Sequence, residues 1–432
     1  MPRTDRSQQE FITELPDGTV KQVNPFSGTE VWTVPGRGHR PLGVERPAPQ
    51  PVDPDDADRL CTFCSERLLE TPPEKARVVR SAEGGYAILR DVPAEELFDS
   101  IAEFRRVPNL FEILSAEYWR VNHGHEPGPA VATRRAEYLA TAAGRAHVLD
   151  VVGVKLRAAG RGAEEVAAMP EEERLEAASG FFGGGHDLII ARRHCVDGAR
   201  DAHELAGSGT LSVAGHRAFI ALTVDTMRDL YAGNPHARYV SVFQNWLRPA
   251  GASFDHLHKQ LVAIDEIGAQ NEATLERVRA TPDAFAQDAV GYAERRGLVI
   301  ARNDHAVMFA GFGHRYPTVE IHSQAEACDP WEQFDAERDA MADLIHAAHA
   351  ATGAEVPSNE EWHTRPAGLT EVLPWRVCLK WRVSTLAGFE GATKIYLNTI
   401  SPAGVRDRVV TRLRELRVAG AISRDVVIEG DR

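Results

Sequence analysis

The apolar positions of the chain recur with two different spacings. Alternation of apolar and polar residues marks a strand with one buried face, and recurrence every third or fourth position marks an amphipathic helix. Strand-like segments fill 20–41, with residues 25–28 reading as a turn between them, and short strands separated by polar turns fill 77–111. Helical composition takes over at 130–159 and 171–178, which are rich in Ala, Leu, Arg and Glu and separated by Gly160, Gly162 and Pro170. The strongest amphipathic helix is 210–232, with Ile220, Val224, Met227 and Tyr231 toward one side. It leads through Gly233-Asn234-Pro235 into residues 241–264, which read as strand, glycine-bearing turn and strand. Helices at 272–279 and 282–296 follow. Strands at 297–310 and 316–322 and a long helix at 333–351 then repeat the strand, strand, helix order seen upstream, which predicts a weak internal duplication. A strand beginning near Leu373, a short strand at Tyr396 and a helix at 404–416 complete the chain, and the polar first twenty residues are expected to fray.

With 432 residues, 43% of them hydrophobic and 26% charged, the chain can bury one large core or two smaller ones. No apolar run approaches the ~20 residues of a membrane helix. The N-terminus lacks the apolar core of a signal peptide, so a cytoplasmic protein with no membrane partner is expected. A net charge of −14 without a basic stripe argues against nucleic acid as a partner, so anionic ligands must be met by a few local arginines. Five cysteines, only Cys61 and Cys64 closely spaced, do not make a disulfide framework for a chain of this size.

Chemistry concentrates at His256-Leu257-His258-Lys259-Gln260. In a strand, His256, His258 and Gln260 share one face while Leu257, Lys259 and Leu261 share the other. A neutral imidazole, with a pKa of about 6.5 when unperturbed, is a competent nucleophile toward phosphorus near pH 7. A neighbouring amide can then donate to a phosphoryl oxygen. The segment 46–58, rich in Pro and Asp, reads as a surface linker delivering Cys61-Thr62-Phe63-Cys64, which no thioredoxin-like elements surround.

Phe243 and Asn245, then Ala250-Gly251-Ala252-Ser253, then the histidine pentad together resemble the active-site pattern of the galactose-1-phosphate uridylyltransferase family, within the histidine-triad superfamily. A second, independent resemblance lies far upstream, in Asn24, Pro25, Ser27 and Gly28 followed by Arg37, Arg40 and Pro41. The resemblance implies His258 as nucleophile, Gln260 and Ser253 as groups holding phosphoryl oxygens, and Asn245 and Gly251 as parts of the substrate loop. It implies Arg37 and Arg40 as nucleotide-phosphate ligands and Asn109 as a residue beside the nucleoside. Cys61, Cys64, His194 and His256 would bind a structural zinc ion, although Cys195 stands beside His194 and the sequence allows either as ligand. Downstream, Ala387-Gly388-Phe389-Glu390 and Tyr396-Leu397-Asn398 resemble the family's sugar-contacting segment, making Glu390 the acceptor-side residue with Phe389 and Asn398 near it. Pro374 and Arg376 replace histidines of a second metal site that some members carry, leaving His363 as its one survivor.

The implied fold is α+β: two histidine-triad-like halves, each an antiparallel sheet with packed helices, and a helical insertion in the first half. The expected boundaries are a flexible terminus at 1–19, a first half at 20–265 with the insertion at about 123–180, a helical connection at 266–296 and a degenerate second half at 297–432. The insertion is expected to serve packing rather than chemistry. The implied activity is nucleotidyl transfer between a nucleotide sugar and a sugar 1-phosphate through a nucleotidyl-histidine, in a homodimer. The alternatives are a phosphorylase of ADP-sugars or dinucleoside polyphosphates, or a nucleotide-binding regulator without turnover. Gln260 in the third position, where histidine-triad hydrolases carry histidine, favours transfer over hydrolysis.

Overall fold

A computed structural model describes residues 10–36, 48–53 and 56–431. In chain order the strands are β1 (Ile12–Glu14), β2 (Val20–Val23), β3 (Glu30–Thr33), β4 (Ala76–Arg80), β5 (Tyr86–Arg90), β6 (Phe104–Pro108), β7 (His186–Ala191) and β8 (Tyr239–Trp246). There follow β9 (His258–Ile264), β10 (Val299–Arg302), β11 (Ala306–Ala310), β12 (Thr318–Ser323), β13 (Ser358–His363), β14 (Arg376–Trp381), β15 (Ile395–Asn398) and β16 (Val427–Ile428).

The two expected halves are present, and they share a single twelve-stranded sheet in the order β16-β10-β11-β12-β14-β13-β8-β9-β7-β6-β4-β5. The seam is the antiparallel pair β8 and β13, in which Gln244 faces Glu360 and Asn245 faces Asn359. One face is covered by the helices Val213–Gly233 and Asp335–Thr352, which pack on each other, with Pro402–Val418 against the second of them. Ser212 caps the first helix by accepting from the Gly215 amide, and Ser401 caps the last by accepting from Gly404, each satisfying a donor that the first helical turn leaves free. The core beneath is continuous across the seam, including Phe219, Leu261, Met341, Leu344 and Trp375. No helix among the described residues is long and apolar enough to cross a membrane.

Three local expectations change. Residues 10–19 do not fray: β1 pairs with β2, and the amides of the apolar pair Phe11 and Ile12 donate to the Tyr292 hydroxyl at 3.0 and 2.9 Å. The helix expected over 130–159 is two helices, Pro129–Ala140 and Ala142–Ala158, because Thr141 is extended and caps the second by accepting from Gly144 at 3.0 Å. The insertion has a small core of its own, around Tyr138, Val148, Val152 and Phe181, and reaches the main body where His147 meets the Thr71 carbonyl at 2.8 Å. Finally β1, β2 and β3 form a small sheet with β15, which lies parallel to β3, so the N-terminal segment packs on the second half. Phe26 stacks on Phe285 with ring centroids 4.2 Å apart.

Candidate active site and metal-ligand cluster

The strand β9 lies between β7 and β8, with His258 opposite Ile190 and Gln260 opposite Phe243. Its alternation is as expected, since Leu257, Lys259 and Leu261 are fully buried and the Lys259 ammonium lies 5.0 Å from the Phe219 ring on the helical side. His258 Nδ1 lies 2.7 Å from the His256 carbonyl, to which it donates, leaving Nε2 as the unprotonated nitrogen. A nucleophilic histidine needs its other ring nitrogen held by an acceptor, and here a main-chain carbonyl does so. Burial pushes the His258 pKa down to about 4 against that carbonyl, so the ring is neutral at physiological pH.

Gln260 is half-buried, and its Oε1 lies 3.1 Å from Nε2 of His186. Asn109 meets the same histidine at 3.0 Å, so Asn109, His186 and Gln260 form one chain of polar contacts. His186, at the start of β7, was not singled out in the sequence. The signal was the alternation itself, which places His186 on the face of Leu188 and Ile190. Burial holds its pKa below the usual value despite the bond to Gln260.

The turn after β8 carries Gly251 at φ +90°, a left-handed conformation that favours glycine. Asn245 Oδ1 accepts from Asn359 at 2.7 Å, and Asn359 also donates to the Ala250 carbonyl at 2.8 Å, which ties the turn to the second half. Ser253 is exposed, and Phe254 after it packs on Phe63 with ring centroids 4.5 Å apart.

Cys61, Cys64, His194 and His256 bring one ligand atom each to within 4.8 Å of one another. The two sulfurs are 3.8 Å apart, Cys61 Sγ is 3.4 Å from His256 Nδ1 and Cys64 Sγ is 3.7 Å from His194 Nδ1. His256 Nε2 donates to the Ala191 carbonyl at 2.6 Å, which leaves Nδ1 to face the sulfurs as a ligand, the outer-shell arrangement usual for metal-binding histidines. Of the two neighbours the sequence left open, His194 belongs to the cluster, while Cys195 Sγ lies 3.8 Å from the Ala202 carbonyl. Two sulfurs and two imidazole nitrogens at this spacing fit a four-coordinate metal ion. Phe63, inside the Cys61–Cys64 loop, presents its ring to His258 at 5.3 Å, and its carbonyl accepts from Arg105 at 3.2 Å. The loop and the β9 histidine are thereby in direct contact.

Other expected residues lie elsewhere. Arg37 and Arg40 fall outside the described residues. Phe389 and Glu390 lie in the helix Gly388–Thr393, where Glu390 accepts from the Ala387 amide at 3.0 Å and Phe389 approaches Trp32, with ring centroids 6.4 Å apart. Asn398 donates to the His314 carbonyl at 3.0 Å. These contacts belong to the small sheet and its surroundings, not to β8 or β9. The Arg376 guanidinium lies near both of the stacked rings of Phe26 and Phe285, 5.5 and 4.9 Å from their centroids. Beside it His314, Glu320 and Cys378 form a second group of ligand-type side chains, in which the Glu320 oxygens bond to His314 at 2.7 Å and to His322 at 3.0 Å.

This architecture is the fold of the galactose-1-phosphate uridylyltransferase-like proteins. The structure superimposes on an ADP-glucose phosphorylase from Arabidopsis thaliana with bound ADP-glucose with a TM-score of 0.57 at 19% identity, covering 91% of this chain and 98% of that one. It superimposes on a GalT-like protein from Arabidopsis thaliana with a TM-score of 0.54 at 18% identity and the same coverage. In sequence, ADP-glucose phosphorylase of Arabidopsis thaliana is 25% identical over 175 residues, 39% of this chain and 50% of that protein, so the match spans about half the relative's length. The structural likeness establishes the fold. The chain belongs to the DUF4921 family, described as a domain of unknown function, whose profile matches residues 15–432.

Proposed function

We propose that the protein transfers a nucleotidyl group through a covalent intermediate on His258. In the first step Nε2 forms a bond to the α-phosphorus of a nucleotide sugar while the bond from that phosphorus to the bridging oxygen breaks. The sugar 1-phosphate leaves with the electron pair. In the second step an oxygen of an acceptor phosphate attacks the same phosphorus, and the imidazole departs with its electron pair and regains a neutral, unprotonated Nε2. Splitting transfer between two anions into two displacements means that each needs only one of them present.

The observation that carries this reading is the state of His258: Nδ1–H is held by the His256 carbonyl at 2.7 Å, so the free nitrogen is the basic one. Gln260, steadied by His186, would donate its amide to a phosphoryl oxygen as charge builds, with the Ser253 hydroxyl as a second donor. Asn109, in contact with the same histidine, would lie toward the nucleoside. Cys61, Cys64, His194 and His256 would hold zinc, a closed site without an open coordination position and therefore structural. Its role would be to fix the Phe63 loop against β9, so that the imidazole is aimed rather than mobile.

The acceptor is either a sugar 1-phosphate, as the active-site motif suggests, or inorganic phosphate, which the sequence match to an ADP-glucose phosphorylase favours. The test is to supply UDP- and ADP-sugars with each acceptor in turn. Release of a nucleoside diphosphate with phosphate identifies a phosphorylase, and a new nucleotide sugar with sugar 1-phosphate identifies a transferase. Tight nucleotide binding without label exchange between sugar phosphate and nucleotide sugar would leave the non-catalytic regulator instead.

A further inference from the structure

The helical insertion buries a polar pair inside its apolar core. Next to Val148, Val152 and Phe181, the Tyr138 hydroxyl lies 2.7 Å from Nδ1 of His147. Nε2 of the same ring lies 2.8 Å from the Thr71 carbonyl, which can only accept, so Nε2 carries the proton and Nδ1 accepts from the hydroxyl. Burial lowers the His147 pKa, which keeps the ring in this neutral state. Taking a hydroxyl and an imidazole out of water is costly unless both are hydrogen-bonded. Here the group that completes the pair lies outside the insertion, on the main body. For packing alone, apolar side chains at both positions would serve as well.

Thr71 is a junction between the insertion and the cysteine loop. Its hydroxyl donates to the Leu68 carbonyl at 2.9 Å and accepts from Arg105 Nη1 at 3.1 Å, while its carbonyl meets His147. The same guanidinium donates through Nη1 to Glu74 Oε1 at 3.3 Å and through Nη2 to the Phe63 carbonyl at 3.2 Å. Thr71, Glu74 and Arg105 are all buried. Because a guanidinium is a planar, rigid fork, its grip on Thr71 and Glu74 sets where the Phe63 carbonyl sits. Phe63 in turn places its ring 5.3 Å from that of His258 and 4.5 Å from that of Phe254. A continuous series of buried contacts thus runs from His147 through Thr71, Arg105 and Phe63 to His258. We propose that His147 is a positioning residue for His258: through Thr71 and Arg105, the insertion holds the Phe63 ring where it orients the nucleophilic imidazole. The inference rests on the nucleotidyl-transfer reading for what His258 does. It gives the insertion a part in the chemistry, where the sequence suggested packing.

The test follows single-turnover nucleotidylation by UDP- and ADP-sugars, by rapid quench at saturating donor, in His147→Leu, His147→Gln and Val152→Ala. Leucine removes both hydrogen bonds, and glutamine can still donate to Thr71 and accept from Tyr138. Val152→Ala loosens the insertion core at a side chain outside the series of contacts. His147→Leu should lower the rate constant about tenfold with donor affinity little changed, short of the ~10²-fold that a misplacement of about 1 Å can cost. His147→Gln should recover most of that loss, and Val152→Ala should match wild type however far its melting temperature falls. An unchanged rate in His147→Leu, a loss that His147→Gln does not recover, or an equal loss in Val152→Ala overturns the proposal. A second readout is independent of turnover: in carbon-13-histidine-labelled protein the His258 Cε1–H resonance, assigned with His258→Asn, is sensitive to the ring current of Phe63. If no donor reacts with the wild type, the nucleotidyl-transfer reading fails and this resonance decides. A shift in His147→Leu that is absent from His147→Gln and Val152→Ala supports the positioning role, and any other pattern overturns it. Should His147→Leu fail to fold, Tyr138→Phe, which removes only the hydroxyl, takes its place. A few-fold slower rate and a shifted His258 resonance are then expected, and wild-type values of both overturn the proposal.

Discussion

Directly behind the proposed nucleophile, between His258 and Gln260, Lys259 points into the core and meets Glu360 of the other half. Its ammonium is 2.5 Å from Glu360 Oε1 and 3.1 Å from Gln244 Oε1, and both side chains of the ion pair are wholly buried. Glu360 also accepts from Trp362 Nε1 at 2.5 Å and from His349 Nε2 at 2.6 Å. Burial alone would push the Glu360 carboxyl upward, but Lys259 and His349 outweigh it and hold the group well below the usual carboxylate range. Removing one member of a buried pair strands the other, typically at ~3–5 kcal/mol. Lys259→Met leaves Glu360 with Trp362 and His349, so the lower end, ~3 kcal/mol, is expected. Glu360→Gln strands an ammonium among amide oxygens and should cost more, ~4 kcal/mol. The double variant leaves no unpaired charge and should cost at least ~2 kcal/mol less than the sum. Because the folded pKa of Glu360 is depressed, the stability it contributes is present above the unfolded carboxyl value of about 4.3 and is lost as pH falls through the folded value. Urea unfolding of the four proteins at pH 7.5 measures these energies, and repeating it from pH 5 down to pH 3 measures the loss of the Glu360 contribution. Additive single effects, or a Lys259→Met cost below ~1 kcal/mol, would refute the view that this pair locks the strand of one half to the sheet of the other.

Elemental analysis should find zinc at one per chain, lost together with much of the thermal stability in Cys61→Ser/Cys64→Ser. Two metals per chain would instead assign an ion to His314, Glu320 and Cys378 as well. Gln260→Ala should slow both half-reactions by about 10²-fold, as loss of a single oxyanion donor does. His186→Ala should slow them less, and should add little on top of Gln260→Ala, because His186 acts through that amide; full additivity in rapid-quench measurements would separate the two residues. Glu112, whose carboxyl burial raises to about 7, contributes stability that is present below the unfolded value of about 4.3 and lost as pH rises through 7. Glu112→Gln should therefore stabilise the protein at pH 8 by up to a few kcal/mol, on the order of the shift, and change little at pH 5, as read from urea midpoints.

What was legible in the sequence was local or motif-borne. Alternation along β9 put His258 and Gln260 on one face and Lys259 on the other, and the family resemblance pointed to Cys61, Cys64, His194 and His256, leaving Cys195 open beside His194, as the cluster that the structure assembles. The amphipathic helix was legible because its apolar face repeats over six turns, and its cap, Ser212, lies within two residues of the expected start. Hidden were the features that depend on register between distant strands. Nothing near Lys259 announces Glu360, and nothing near Asn245 announces Asn359, because each pair is set by how β8 and β13 align at the seam. His186 was missed for a smaller reason: it belongs to none of the motifs read from the sequence. Thr141 broke a helix whose composition favours helix throughout, since a hydroxyl that caps the following turn outweighs a weak propensity.

The account stands or falls on whether His258 carries the nucleotidyl group. Intact-protein mass spectrometry after incubation with UDP- and ADP-sugars, without any acceptor, measures this directly. The expected result is a mass gain of one nucleoside monophosphate that is acid-labile, disappears on adding phosphate or a sugar 1-phosphate, and is absent from His258→Asn. A full panel of donors that bind yet leave the wild-type mass unchanged, or an adduct that persists in His258→Asn, would contradict it.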